Sequence, residues 1–227
     1  TLFRSKNADG QKVDNTTADA EIANKTDVVL TSVAGNEKAI GYISLGALND
    51  TVKAVKVDGA EATVDNVKNG SYKLSRPFNI ATKGEPTGVA KDFINFILSK
   101  DGQAVVTDNK YIAVNDAAES FVSDGSSGKI AVGGSSSVSP VMEKLIEAYK
   151  SVNPNASIDL QTSDSTSGMT GAMDGTFAIG MASRELKDEE AAQLTGTAIA
   201  LDGIAVIVNP ANTIDELSMD QIKSIYV

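Results

Sequence analysis

A chain of 227 residues is long enough for one large domain or two small ones, and its net charge of -10 argues against nucleic acid or an anionic membrane face as the main partner. Histidine and cysteine are both absent, which removes the usual general base, the usual zinc ligand and any Ser-His or Cys-His pair, and leaves neither a disulfide framework nor a thiolate metal site. No stretch approaches the roughly 20 apolar residues of a membrane span, and the first residues lack a signal pattern, so a soluble chain is expected whose export signal was removed or never there.

Residues 1–26 are polar and read as loop, with the tail of a helix at Leu2 and Phe3. Thr26 is placed to cap a short helix, followed by a turn at Gly35 and Asn36 and a strand from Ala39 to Ser44. The segment VKAVKVDG, 52–59, alternates like a half-buried strand, and ATVDNVKNG, 62–70, reads as a short helix ended by Gly70. Arg76 and Pro77 open a strand. The run 87–106 then puts Val89, Phe93, Phe96 and Ile97 on one helical face, a core stripe rather than a cofactor box.

The polar stretch 115–128 reads as a surface connection into the strand KIAVGG, and a helix starts at residue 140. After it come the strand SIDLQ, a Ser/Thr/Gly-rich turn, the strand FAIGMAS, an acidic helix around Lys187 to Leu194, the strand AIALDGIAVIVN and a last helix, SMDQIKSIYV. Strands alternating with helices predict an α/β fold with largely parallel sheets, and two such runs predict two lobes.

The stretch AVGGSSSVSPVMEKL, 131–145, crowds hydroxyls between a strand and a helix. Ser139 is placed as N-cap and Pro140 as the first helical residue, with Val138, Val141, Met142, Leu145 and Tyr149 on the buried face. A helix N-terminus leaves about four amide hydrogens without partners and carries about half a positive charge, so it suits an anion. Ser135, Ser136 and Ser137 would add hydroxyl donors there, while Gly133 and Gly134 let the backbone come close. The plain alternative is a loop whose serines only cap and turn. QTSDSTSGMTGAM, 161–173, repeats the arrangement with Ser165, Thr166, Ser167 and Gly168 entering a second helix. In IGMASREL, Ser183 and Arg184 follow a strand and could bring a hydroxyl and a permanent charge to the same rim, the alternative for Arg184 being a surface ion pair with Glu185 or Asp188.

These motifs, with AIGYISLG, VKAVKVDG, YKLSRPFNIATKGEP, VAKDFINFILSKDGQ and DGIAVIVNP, resemble the phosphate-binding proteins of bacterial ABC phosphate importers over nearly the whole chain. The resemblance implies an α/β, type II periplasmic-binding-protein fold: two α/β lobes with a ligand cleft and a hinge, residues 76–210 forming the lobe with the serine loops and residues 1–75 with 211–227 the second. It implies extracytoplasmic binding of inorganic phosphate, delivery to the membrane permease subunits of the importer, a monomer, no enzymatic activity, no cofactor and no metal. Location would be the cell surface, as a Gram-positive type lipoprotein, or the periplasm.

The carried-over ligand set is a hydroxyl and backbone amide at Ser136 and Ser137 with Ser135 beside them, and a hydroxyl at Ser165 with Thr166 and Ser167 at the helix start. At the third position the family often has an aspartate; here Ser183 stands there, followed by Arg184, and Asp202 is the candidate substitute acceptor. The motif order is rotated, second-lobe elements first, so the chain is expected to be circularly permuted, with the family's Gly-Ser-Gly-Thr loop and its arginine falling upstream of Thr1. Two rival readings remain: another tetrahedral oxyanion such as sulfate, and a serine-lysine hydrolase built on Ser126 and Lys129 of SSGK.

Overall fold

The structure, a computed structural model, describes residues 4–6, 12–115 and 117–227, so the helix tail expected at Leu2 and Phe3 lies outside the described residues. Within the segment read as loop, β1 (Arg4–Lys6) and β2 (Lys12–Asp14) pair antiparallel; three-residue polar strands carry no apolar alternation to read. The chain continues through α1 (Thr26–Ala34), β3 (Ile40–Ser44), a 3-10 turn (Leu45–Ala47), β4 (Lys53–Ala54), β5 (Lys56–Val57) and α2 (Val64–Lys68). Next come β6 (Ser75–Thr82), α3 (Gly88–Leu98), α4 (Lys100–Asp108), β7 (Gly128–Ser135), α5 (Ser139–Val152), β8 (Ala156–Ser163) and α6 (Ser165–Asp174). The chain closes with β9 (Ile179–Ala182), α7 (Asp188–Ala191), β10 (Thr195–Val208), β11 (Glu216–Leu217) and α8 (Met219–Tyr226).

Caps and breaks refine the expected boundaries. Thr26 is the first residue of α1, with Lys25 in the cap position, whereas Thr63 caps α2 by accepting from the Asn66 amide at 3.2 Å. The run 87–106 is two helices. The Ser99 hydroxyl donates to the Phe96 carbonyl at 2.6 Å and accepts from the Gly102 amide at 3.2 Å, so one side chain ends α3 and caps α4. Gly102 is required at that corner, because a Cβ there would lie 2.7 Å from the Ile97 carbonyl oxygen.

The main sheet runs β3-β10-β6-β9-β7-β8, with β4 also paired to β10. It is mixed rather than largely parallel: β7, β8 and β9 are parallel, while β6 is antiparallel to β9 and β10, and β3 is antiparallel to β10. The reason lies in the two cores. One gathers Phe78, Phe93, Phe96, Met142, Leu145 and Ile179; the other gathers Leu30, Val33, Ile43, Tyr72, Val206 and Ile222. β6 carries the chain into the first core and β10 carries it back, so the paired strands must run opposite ways. β10 belongs to both, with Ile199 and Ala200 in the first core and Ile204 to Val208 in the second.

Alternation along the strands sorts the helices. In β6, Phe78 and Ile80 face the core formed with α3 and α5, while Ala81 joins a small cluster with Met169 and Ala172 of α6; α5 and α6 therefore cover opposite faces. The connection 115–128 is fastened to the first core through buried Asp92. That carboxylate accepts from the Tyr149 and Ser123 hydroxyls, each at 2.7 Å, the Asp124 amide at 3.0 Å and Asn153 Nδ2 at 3.2 Å. Burial pushes the Asp92 carboxyl up, but these four donors hold it below its ordinary value. No helix among the described residues is long and apolar enough to cross a membrane.

Candidate functional site

The parallel strands β9, β7 and β8 end side by side, at Ala182, Ser135 and Ser163. β7 leads through α5 to its neighbour on one side, and β8 leads through α6 to β9 on the other. The segment leaving β7 becomes α5 in the first core, whereas the segment leaving the adjacent β9 packs through Leu186 and Leu194 with α6 on the other face, the arrangement that opens a crevice at the carboxyl ends of strands. All three hydroxyl-bearing loops lie at this crevice.

Glycines bring the loops together. A Cβ on Gly168, in the first turn of α6, would sit 2.7 Å from both the Gly134 Cα and the Met181 carbonyl oxygen, so α6 begins in direct backbone contact with β7 and β9. Gly134 itself has φ +132, a conformation that L side chains rarely adopt. The Ser136 amide donates to the Ser163 carbonyl at 2.9 Å, fastening the first serine loop to the end of β8.

The structure assigns different roles to the hydroxyls of the first loop. Ser139 is not the N-cap of α5: Val138 holds that position without a side-chain bond, and the Ser139 hydroxyl donates back to the Ser135 carbonyl at 3.2 Å while accepting from Thr162 at 2.9 Å. The Val138 amide already closes a turn onto the Ser135 carbonyl at 3.0 Å, and the helix begins at Ser139, one residue earlier than the Ser-Pro pattern suggests. Ser135 is buried at the end of β7, and the Ser136 hydroxyl reaches the Asn24 carbonyl only at 3.5 Å. The Ser136 amide is committed to Ser163, whereas the Ser137 amide and hydroxyl find no protein partner among the described residues.

At the second loop the cap is Asp164, which sequence reasoning missed. Its carboxylate accepts from the Thr166 amide at 2.8 Å, the Ser167 amide at 3.0 Å and the Ser167 hydroxyl at 2.7 Å. The Ser167 hydroxyl and these backbone donors hold the Asp164 carboxyl below its ordinary value. An Asp directly before Ser-Thr-Ser-Gly was the signal available. The Ser167 proton is thereby directed to Asp164, while Ser165 accepts from the Ser183 amide at 3.1 Å.

Arg184 is sequestered by an ion pair, but with neither Glu185 nor Asp188. Both terminal nitrogens are held by Glu190, at 2.7 and 2.8 Å, and Nη1 also donates to the Glu185 carbonyl at 3.0 Å. Glu190 is 2% exposed and accepts from the Lys187 amide at 2.8 Å. Burial pushes its carboxyl up, yet the Arg184 guanidinium and the Lys187 amide hold it below the ordinary value. The remaining contact of Arg184 Nη2 is with the Thr166 hydroxyl at 3.4 Å, and the Arg184 carbonyl accepts from Asn79 Nδ2 at 2.9 Å. The second and third loops are thus joined at two points.

Asp202 shares no hydrogen bond with the residues of these loops. It is 0% exposed on β10, accepting from the Ser44 hydroxyl at 2.7 Å and from Arg76 Nε at 3.1 Å where the two cores meet. With no exposed surface, the candidate substitute acceptor has its carboxylate committed to Ser44 and Arg76. The surface hollows of about 540 Å³, beside Asp27, Leu30 and Thr31, and about 490 Å³, beside Leu98, Phe121 and Val122, include no residue of the serine loops. Ser126 and Lys129 share no hydrogen bond; the Ser126 amide donates to Asp124 and its carbonyl accepts from Asn153.

Comparison with known proteins agrees with this architecture. The profile of the PBP superfamily domain matches residues 1–101 and 120–227. The phosphate-binding protein PstS 2 of Streptococcus agalactiae serotype V is 53% identical over 226 residues, 99% of this chain and 77% of the relative. The protein of the same name from Streptococcus pneumoniae serotype 4 is 49% identical over 216 residues, 95% of this chain and 74% of the relative. A crystal structure described as the phosphate-binding protein of a phosphate ABC transporter from Streptococcus pneumoniae superimposes with a TM-score of 0.75 at 48% identity, covering 99% of this chain and 87% of the other. Matched along nearly its whole length in sequence and in fold, the chain belongs to the family of phosphate-binding proteins within the PBP superfamily.

Proposed function

We propose that this chain binds inorganic phosphate outside the cytoplasm and delivers it to the permease subunits of an ABC importer, as a monomer and without chemical turnover. The observation that carries the reading is the joining of three hydroxyl-bearing loops at the carboxyl ends of β7, β8 and β9, two of them opening helices, in a chain 53% identical to a phosphate-binding protein. Helix dipoles, the Ser137 amide and short hydroxyl donors provide local positive potential, and the net charge of -10 does not oppose them because distant charges are screened within about 10 Å at ordinary salt.

The binding set under this reading is Ser135, Ser136 and Ser137 with Ser165, Thr166 and Ser183. Residues 76–210 form one lobe and residues 1–75 with 211–227 the other, a division supported by the two cores, although β10 beyond Leu201 packs with the second. The rotated motif order is read as a circular permutation. Its support is the contrast between 226 matched residues in the streptococcal relative and 86 in the phosphate-binding protein PstS of Bacillus subtilis. Attachment to the cell surface through a lipid belongs to the same reading.

Isothermal titration in phosphate-free buffer tests it, with sulfate as competitor across pH 5 to 8. Saturable phosphate binding that sulfate fails to displace is the expected result. Equal displacement by sulfate would make the chain a general oxyanion binder, and absence of heat and of any rise in melting temperature with either anion would end the proposal.

A further inference from the structure

A hydroxyl has one proton to donate and two lone pairs to accept with, so the bonds it already makes decide what it can offer a ligand. In the second loop those bonds differ from one residue to the next. Ser167 gives its proton to Asp164. Ser165 and Thr166 instead receive: Ser165 from the Ser183 amide at 3.1 Å, and Thr166 from Arg184 Nη2 at 3.4 Å. The second distance is long for a hydrogen bond, but a guanidinium charge at that range still orients a hydroxyl dipole with its oxygen toward the charge.

The guanidinium cannot turn away from this task. Glu190 grips both terminal nitrogens from a buried position, the Glu185 carbonyl takes a further N–H, and Asn79 holds the Arg184 backbone through its carbonyl. Arg184 is only 16% exposed along its side chain, and its charge is balanced within this cluster rather than offered to the crevice.

We infer that Arg184 does not touch the bound anion: it is a positioning residue that fixes the polarity of Thr166, as the Ser183 amide fixes that of Ser165, so that both hydroxyls present protons to the ligand. Each acceptor bond also polarises the hydroxyl it meets and strengthens the bond that the hydroxyl donates onward. The loop then recognises oxyanion oxygens with hydroxyl protons aligned before the ligand arrives. This rests on the phosphate reading of the same crevice.

A double-mutant cycle separates the two roles. Titration of phosphate is run on the wild type, Thr166→Val, Arg184→Lys and the double variant, with melting curves to check folding and Thr166→Ser as the conservative rescue. Thr166→Val should weaken binding at least about tenfold, the effect of losing one donor to a charged acceptor. Thr166→Ser should restore it to within about threefold. Arg184→Lys should weaken binding when Thr166 is present and add nothing in the Thr166→Val background, since its effect passes through that hydroxyl. An Arg184→Lys loss of equal size in both backgrounds would show direct contact with the anion and overturn the inference, as would Thr166→Val binding like the wild type. Should Arg184→Lys fail to fold, Arg184→Gln takes its place in the same cycle and is judged by the same two outcomes. A wild type that binds no phosphate would instead remove the functional reading, and this inference with it.

Discussion

Asp202 lies wholly buried between the Ser44 hydroxyl and Arg76 Nε, and burial pushes its carboxyl up from an ordinary 3.8 to about 6, with Arg76 and Ser44 pulling it part of the way back. The native state therefore holds this proton more tightly than the unfolded chain does. Its contribution to stability is fully present below about pH 3.8 and is lost as pH rises through about 6. A displacement of that size corresponds to roughly 3 kcal/mol at most, at about 1.4 kcal/mol per pH unit. Comparing melting temperatures of the wild type and Asp202→Asn between pH 4 and 7 should show the difference moving in favour of the variant as pH rises. A difference that stays flat would mean that Asp202 does not titrate there. The family resemblance makes Asp202 the candidate substitute for the usual acceptor aspartate, but its partners come from positions 44 and 76, and no local pattern announces them. Asp164 shows the reverse case, since its cap is written in four consecutive residues and was read as hydroxyls alone.

Among the elements, the legible ones bury a regular stripe. Phe93, Phe96 and Ile97 of α3, and Met142, Leu145 and Tyr149 of α5, lie in the first core as their spacing predicts. The break at Ser99 was not legible, because residues 99–102 are polar or small and fit the outer face of a continuing helix as well as they fit a cap. The second loop depends on a contact between elements that composition cannot show: α6 touches β7 through two glycines. Gly168→Ala would drive a Cβ to 2.7 Å from the Gly134 Cα, and backbone on both sides leaves no flexible side chain to give way. The expected outcome is a loss of about 1 to 3 kcal/mol, read as a lower urea midpoint with an unchanged slope, together with weaker phosphate binding because the two loops part. Full stability in the variant would show that α6 can slide without consequence.

For the molecule as a whole, strand and helix alternation was sufficient for an α/β fold, and the family resemblance for its kind. Strand direction was not legible, because apolar runs look alike in parallel and antiparallel sheets once both faces are covered. The mixed sheet follows from a connection between cores that no single segment encodes. β10 pairs with β6 from Thr195 to Gly203, with β3 from Ile204 to Val208, and with β4 at Ile207 and Val208. Neither core can come apart without losing one half of that strand, and the loss exposes apolar residues belonging to the other. Two cores should therefore melt as one cooperative unit. Scanning calorimetry should give a single endotherm whose calorimetric and van't Hoff enthalpies agree, and native-state hydrogen exchange should place the slowest amides at Ile199 and Val206 alike, with the same opening free energy. Two resolved endotherms would show that β10 yields at its middle, and that each core keeps its own melting point.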